Sequence, residues 1–284
     1  MKKVIVLSLI VCVLCSCAKG AEKVSSPSPT AETAVQATAE PTATPTPTPV
    51  PTSAPTPTAA PTKASEQTKS ETSQNKKLSN LTICIDAGHG ETSLKGKEKI
   101  APNSDVTKAA HVSGTSGKDM SEQELNLLVA KKLQAKLAGM GVNVIMTRTT
   151  ANCDKSNIER AEMANDANAD LMIRIHADGI EDSSVSGMSM LVPTTEYIKD
   201  KDMVDKSVKI GETVLKAVVA QTGAKNRGIS RRGDMTGFNW SKVPVILLEM
   251  GFMTNREEEK KLITDEYQDK IVDGVVNGLT AYYG

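Results

Sequence analysis

The segment DLMIRIHAD (residues 170–178) decides the fold predicted for this chain. Its apolar run from Leu171 to Ile175 is typical of a buried β-strand bounded by polar residues. His176 follows where this run ends. In open α/β sheets, functional side chains collect at the carboxyl ends of strands, because loops leave there and a crevice opens. We therefore predict that His176 faces a cleft and is held by a rigid backbone.

Two other segments share this design. LTICIDAGHG (residues 81–90) is an apolar strand pattern that leads into His89, and VPVILLEMGF (residues 243–252) is one that leads into Glu249. A buried strand rarely ends in a glutamate that has neither a partner nor a function. The sequence thus predicts three strands, each of which delivers one side chain that can bind a metal or transfer a proton.

The polar segment 91–120 contains the remaining histidine, His111. The segment is rich in glycine, serine, lysine and threonine, and we expect it to be an extended loop. Loops of this length in compact domains are usually functional or disordered. Because no predicted strand or helix positions His111, we interpret it as a solvated loop residue rather than a ligand.

Helical patterns alternate with the strands. In SEQELNLLVAKKLQAKLAGMG (residues 121–141), apolar residues recur with the spacing of one helix face. Ser121 and Glu124 predict a capping box, which places Glu122 in the first helical turn. Further strands are predicted at 142–148 and 187–193, further helices at 156–169, 197–222 and 257–282, and a loop end at 226–228. This alternation predicts an α/β fold with a single, mostly parallel sheet and helices on both faces.

The amino terminus has the features of an export signal. Lys2 and Lys3 precede an apolar run over residues 4–14, which is too short to cross a bilayer as a helix. The sequence Leu-Cys-Ser-Cys that follows resembles a bacterial lipoprotein signal in which Cys17 is lipidated. We expect residues 1–17 to be a signal peptide, and the protein to be exported and lipid-anchored to the outer face of the cell membrane. The alternative is plain secretion with cleavage nearby.

Residues 18–78 are predicted to be a Pro/Thr-rich disordered tether, because ten of the thirteen prolines fall between Pro27 and Pro61. Residues 79–284 form the predicted folded domain. The formal net charge is zero, with 34 basic and 34 acidic residues, and no basic stripe is visible. These features exclude a nucleic-acid partner. With few aromatic residues, the core is predicted to be aliphatic.

The residue types at the strand ends indicate a zinc hydrolase. Catalytic zinc sites use three protein ligands and keep one position open for water, and His-His-Glu is a common set. His89 and His176 are two candidate ligands, and Glu249 is a separate carboxylate that could move a proton. The residues alone leave the third ligand open among Glu122, Glu91, Asp86 and Asp178. In the alternative interpretation, the two histidines lie at the edge of the core, where they form hydrogen bonds and bind no metal, and Glu249 forms a salt bridge.

Four motifs occur in an order that resembles a known family. They are IDAGHG, the E-x-x-x-N-L of residues 122–127, the IHAD around His176, and PVILLEMGFMTN at 244–255. Together they are similar to those of the zinc-dependent N-acetylmuramoyl-L-alanine amidases, which are bacterial cell-wall hydrolases. The resemblance covers residues 80–284, and four ordered motifs are far more specific than any one alone.

The resemblance implies a fold, a site and a substrate. It implies a twisted sheet of about six strands flanked by helices, and one zinc ion on His89, Glu122 and His176. Glu249 would be the catalytic base. The implied substrate is peptidoglycan, cleaved at the amide between the lactyl group of N-acetylmuramic acid and the L-alanine of the stem peptide. An inserted segment blocks the site in some members until a partner moves it, which suggests a regulatory protein acting on residues 91–120.

Other functions stay open at this point. One is a different zinc peptidase or deacetylase acting on cell-wall material, and another is a non-catalytic wall-binding lipoprotein. The chain also departs from the family pattern at Arg174, where members often have serine. Arg174 either forms an ion pair at the edge of the core or lines the cleft. Phe238, Trp240 and Arg227 are candidates to line the substrate groove. For the two aromatic residues, packing in the core is the alternative.

Overall fold

The computed structural model of the protein describes residues 78–284. The predicted signal peptide and the predicted tether up to residue 77 lie outside the described residues. Over residues 78–284, none of the helices is both long enough and apolar enough to span a membrane.

The described chain alternates strands and helices, as predicted. In order, its elements are β1 (Thr82–Ala87), β2 (Lys97–Lys99), β3 (Thr107–Ala109), α1 (Glu122–Gly139), β4 (Asn143–Met146), α2 (Asn157–Asp166), β5 (Leu171–Asp178), β6 (Met188–Pro193), α3 (Lys201–Thr222), β7 (Asn226–Arg232), α4 (Thr236–Asn239), β8 (Val245–Phe252), α5 (Arg256–Leu262) and α6 (Asp265–Tyr283).

Six of the strands form one sheet in the order β4-β1-β5-β8-β6-β7. Strands β4, β1, β5 and β8 pair in parallel, β6 runs antiparallel to β8, and β7 is parallel to β6. The prediction of a mostly parallel sheet of about six strands is confirmed. Strands β2 and β3 form a separate antiparallel pair.

The two faces of the sheet differ in chemistry, because side chains alternate along each strand. One face carries Ile173 and Ile175 of β5 and packs against α1, α3 and α6 in a large aliphatic core. The other face carries Met172 and packs against Phe238 and part of α2 in a smaller core. Helices therefore cover both faces, as predicted. On the second face the small core is followed along the strands by polar residues, and the candidate site lies there.

Three predictions of secondary structure are wrong. The segment 91–120 is not wholly an extended loop, because β2 and β3 form a hairpin within it. Residues 226–228, predicted as a loop, begin β7. This edge strand is polar and partly exposed, so its sequence lacks the apolar run of a buried strand. The helix predicted at 257–282 is two helices, because Thr264 caps a new helix by accepting a hydrogen bond from the backbone of Tyr267.

The predicted capping box at the start of α1 is also wrong. Ser121 makes no side-chain hydrogen bond to the helix end. The backbone N–H of Glu122 instead donates to the carbonyl of Thr115, at 3.1 Å. A helix amino terminus needs acceptors for its free N–H groups, and here the segment before it supplies one. A capping box does occur at the start of α2, between Ser156 and Glu159.

Candidate metal centre

The three predicted ligands meet at one point. His89 Nε2 and His176 Nδ1 each lie 3.0 Å from the same atom, Oε1 of Glu122. The candidate donor atoms of the three residues all lie within 4.8 Å of one another. Among residues 78–284, these three residues form the one group of three or more histidine, cysteine or carboxylate side chains that lies close enough together to hold a metal ion. Of the four carboxylates left open by the sequence, the structure places Glu122 with the histidines.

The turn after β1 brings the two histidines together. His89 has a φ of 59°, a left-handed conformation that few residues with a β-carbon adopt. Gly88 lies directly against the imidazole of His176, so a β-carbon at Gly88 would stand 2.3 Å from Cε1 of that ring. Only glycine therefore allows this turn to pass over His176.

Two buried arginines hold this turn. Arg148 donates to the carbonyls of Ala87 and Gly88, each at 2.9 Å. Arg160 donates to the carbonyls of Ala87 and His89, at 3.0 and 2.7 Å. Sequence reasoning missed both arginines, because no local pattern shows that a distant turn needs donors. The only signal in the sequence was that each arginine stands close to apolar residues that were predicted to be buried.

Glu122 is a charged carboxylate in a buried position. It lies in the first turn of α1 and is 3% exposed. Its Oε1 accepts from the backbone of Ala177 and the amide of Asn126, both at 3.2 Å. Burial alone would raise the pKa of Glu122, but the imidazoles of His176 and His89, each 3.0 Å from its Oε1, outweigh burial and hold that pKa well below its usual range.

The segment before α1 fixes two of the three candidate ligands. His89 Nδ1 lies 2.7 Å from the carbonyl oxygen of Val112 and donates to it, which leaves Nε2 as a bare lone pair facing Glu122. The N–H of Thr115 donates to Oε2 of Glu122 at 2.9 Å. The donor set consists of two imidazole nitrogens and one carboxylate, and backbone groups of Val112 and Thr115 hold two of these ligands in place. Such a set suits a divalent cation such as zinc.

Glu249 lies beside this centre. It pairs in register with His176 on the neighbouring strand, although β8 continues to Phe252 rather than closing at Glu249 as predicted. Its Oε2 is buried without a hydrogen-bond partner. Burial and the nearby carboxylates of Glu122 and Asp178 raise the pKa of Glu249 well above its usual value. A carboxylate in this environment is suited to accept and return a proton near neutral pH.

The interpretation of His111 as a solvated residue is wrong. Its ring is partly buried, and its Nε2 is buried without a hydrogen-bond partner. Burial lowers the pKa of His111. It lines a small chamber together with His89 and His176 but is not one of the three clustered candidate ligands. The hairpin in the segment 91–120, which sequence reasoning missed, is the element that brings His111 here.

Arg174 satisfies both interpretations that the sequence left open. It is 3% exposed, and its Nε lies 2.8 Å from Oδ2 of Asp86. It also lines the cleft that leads to the two histidines. Asp86 bonds Arg160 as well, at 2.9 Å, so it serves an ion-pair network rather than the metal centre. Glu91 is exposed.

The three predicted groove residues make packing or structural contacts. Phe238 is fully buried in the smaller core. Trp240 Nε1 donates to the carbonyl of Lys99 at 2.9 Å, which ties α4 to the β2–β3 hairpin. The guanidinium of Arg227 lies 5.1 Å from the ring centre of Phe252. For Phe238, packing is therefore the correct interpretation.

Comparisons with known proteins show which family this chain is similar to. The sequence profile of the N-acetylmuramoyl-L-alanine amidases matches residues 83–281. Over 202 residues the chain is 28% identical to the uncharacterized protein YqiI of Bacillus subtilis, covering 71% of this chain and 84% of YqiI. It is 29% identical over 202 residues to the N-acetylmuramoyl-L-alanine amidase LytC of the same organism, covering 71% of this chain and 35% of LytC.

A solved structure extends the likeness to three dimensions. The N-acetylmuramoyl-L-alanine amidase from Clostridium difficile 630 is 29% identical to this chain and superimposes with a TM-score of 0.58. The match covers 71% of this chain and 96% of that protein. With the profile matching nearly the whole described domain, the chain belongs to the N-acetylmuramoyl-L-alanine amidase family.

Proposed function

We propose that this protein is a zinc-dependent hydrolase of peptidoglycan that cleaves the amide between N-acetylmuramic acid and L-alanine. One observation carries the proposal. The donor atoms of His89, Glu122 and His176 lie within 4.8 Å of one another, and Glu249 lies opposite His176 on the next strand. A binding protein without catalysis has no need of such a carboxylate beside a metal site.

Each residue has a separate task in the proposed reaction. His89 Nε2, Glu122 and His176 Nδ1 would hold one zinc ion, and the hydrogen bond from His89 to Val112 orients the first of these ligands. Zinc in such a site polarises a carbonyl and lowers the pKa of water towards about 7.

Glu249 is the proposed catalytic base and acid. Its raised pKa follows from burial and from neighbouring carboxylates, so its affinity for a proton exceeds that of a surface glutamate. The carboxylate accepts a proton from the attacking water and then delivers it to the leaving nitrogen of alanine. Proton return is required because an alanine amide anion is too basic to leave.

Export and anchoring form a second part of the proposal. We infer that residues 1–17 direct export and that Cys17 carries the lipid, which places the enzyme on the outer face of the membrane beside its substrate. Metabolic labelling with a fatty acid tests this. A chain that labels to the same extent after Cys17→Ser would overturn the assignment of Cys17.

A regulatory role for residues 91–120 stays a prediction. The structure adds one constraint, because Val112 and Thr115 in this segment contact His89 and Glu122. Deleting residues 96–116 would remove part of that support along with any barrier. Zinc content must therefore be measured beside activity, and unchanged activity on purified peptidoglycan would contradict a blocking role.

The decisive experiment measures zinc content and digests purified peptidoglycan with the full-length protein. We expect one zinc per chain, and mass spectrometry should find intact stem peptides with free alanine amino termini. Cleaved peptides or free acetate would indicate a peptidase or deacetylase instead. A folded, zinc-loaded protein that binds the wall but releases nothing would favour the non-catalytic alternative.

A further inference from the structure

We propose that Arg174 and Lys108 form a carboxylate-binding subsite that reads the stem peptide one residue beyond the scissile alanine. The inference rests on the proposed function, because it identifies what the cleft beside the metal centre recognises. It adds two residues that select the substrate to those that hold the metal and move the proton.

The cleft is positively charged. It has a volume of about 250 Å³ and opens onto His89 and His176. Arg174 and Lys108 both line it, and none of the described residues that line it is acidic. Val112 and Met235 contribute apolar surface. A cleft of this composition favours a short apolar backbone that carries a negative group.

Arg174 is held rigidly with one edge towards the cleft. Its Nε bonds Asp86 at 2.8 Å, and its Nη2 bonds Asn157 at 3.0 Å. Beside Nη1 lies Gly237, where a β-carbon would stand only 2.5 Å away. A larger residue at Gly237 would therefore cover this edge. A guanidinium fixed in advance loses little entropy when it binds a carboxylate.

The charge of Arg174 is not fully neutralised. Asp86 is shared between Arg174 and Arg160, at 2.8 and 2.9 Å. One carboxylate therefore serves two guanidinium groups, so Arg174 does not have a carboxylate partner of its own in Asp86. An anionic ligand group in the cleft would add a second partner for its charge.

Lys108 supplies a second cation from the β2–β3 hairpin. Its Nζ donates to the carbonyl of Asp234 at 2.6 Å and lies 3.4 Å from the Oδ2 of that residue. Arg232 already bonds both carboxylate oxygens of Asp234, each at 2.7 Å. Asp234 therefore anchors Lys108 at the rim but is largely neutralised by Arg232. The ammonium of Lys108 remains available to a ligand.

The position of Arg174 sets which substrate group it reads. Arg174 lies two residues before His176 on the same face of β5, so their α-carbons are about 7 Å apart. An extended peptide spans about 3.5 Å per residue. Arg174 thus lies on the same face of β5 as His176 and within the length of two peptide residues of it. We therefore assign its ligand to the residue that follows alanine, as a carboxylate on the second stem residue.

The test compares two soluble muramyl peptides that differ only in a carboxylate or a carboxamide at the second residue. We expect kcat/KM of the zinc-loaded, full-length enzyme to be about tenfold higher for the carboxylate, which is the size of one charge-assisted hydrogen bond. Lys108→Gln should lower this preference about threefold, mainly through KM. The matched control is Lys270→Gln, since Lys270 is similarly exposed and also paired with a carboxylate, and its preference should not change.

Arg174→Gln should remove most of the preference, and its zinc content and circular dichroism show whether the fold survives. Equal rates of the wild type on both peptides would overturn the inference and leave the proposed function intact. If neither peptide is cleaved, the proposed function fails, and calorimetric titration of both peptides into the zinc-loaded protein still decides the inference. Equal affinities there would reject it, and tighter binding of the carboxylate would support it.

Discussion

The carbonyl oxygen of Val112 lies 2.7 Å from Nδ1 of His89, although 23 residues separate the two in sequence. This contact selects the tautomer of His89, because a carbonyl can only accept and Nδ1 must therefore carry the proton. The lone pair of Nε2 is then directed at Glu122. A segment without a ligand of its own thus prepares the metal centre.

Gly114 gives the first prediction. A β-carbon there would stand 2.6 Å from Oε2 of Glu122 and 2.8 Å from Cδ2 of His89. Gly114→Ala should therefore displace the segment from both candidate ligands and weaken zinc binding about 10- to 100-fold, as expected for outer-shell changes. Competition with a chromogenic chelator measures the affinity. The control is Gly96→Ala, which also has a positive φ but has nothing within 4 Å of the added carbon. Equal zinc affinities in the two variants would refute the prediction.

Glu249 gives the second prediction. Glu249→Gln preserves shape but cannot take up a proton, so kcat should fall by about 10²- to 10⁴-fold while zinc content stays at one per chain. Peptide release and metal analysis on the same preparation check both points. His176→Ala should lose zinc and activity together. A fully active Glu249→Gln enzyme would show that another group is the base.

Asp86 gives the third prediction, which concerns stability. Its carboxylate is fully buried between Arg160 and Arg174 and accepts a further hydrogen bond from Thr147 at 2.6 Å. Asp86→Asn would leave two buried guanidinium groups without their shared anion, so the free energy of unfolding should fall by about 3–5 kcal/mol. Urea denaturation measures it. Asp105→Asn, at an exposed ion pair with Lys99, should leave the unfolding midpoint nearly unchanged.

The same carboxylate gives a prediction about pH. Burial favours the neutral acid, but Arg160 and Arg174 outweigh it and hold the pKa of Asp86 well below its usual range. A carboxyl whose pKa is lower folded than unfolded adds stability above its unfolded pKa of about 4 and loses it as the pH falls. The stability difference between wild type and Asp86→Asn should therefore be constant from pH 5 to 7 and shrink below about pH 4. A difference that stays constant down to pH 3 would contradict this.

Local sequence determined a large part of this protein. The apolar runs before His89, His176 and Glu249 predicted three buried strands, because strand periodicity depends only on neighbouring residues. The alternation with helical patterns predicted the layered α/β fold. Two histidines and a glutamate that follow apolar strand patterns already indicated a metal hydrolase. The resemblance to the amidase motifs then singled out Glu122.

Only the tertiary structure decided what the other candidate carboxylates do. Asp86 and Arg160 are 74 residues apart, yet their contact removes Asp86 from the set of candidate ligands. The hairpin within 91–120 became visible only through its contacts. It brings Lys108 and Val112 to the cleft and His111 to the small chamber beside His89 and His176. The physical reason is that burial and charge pairing depend on residues distant in sequence, whereas periodicity does not.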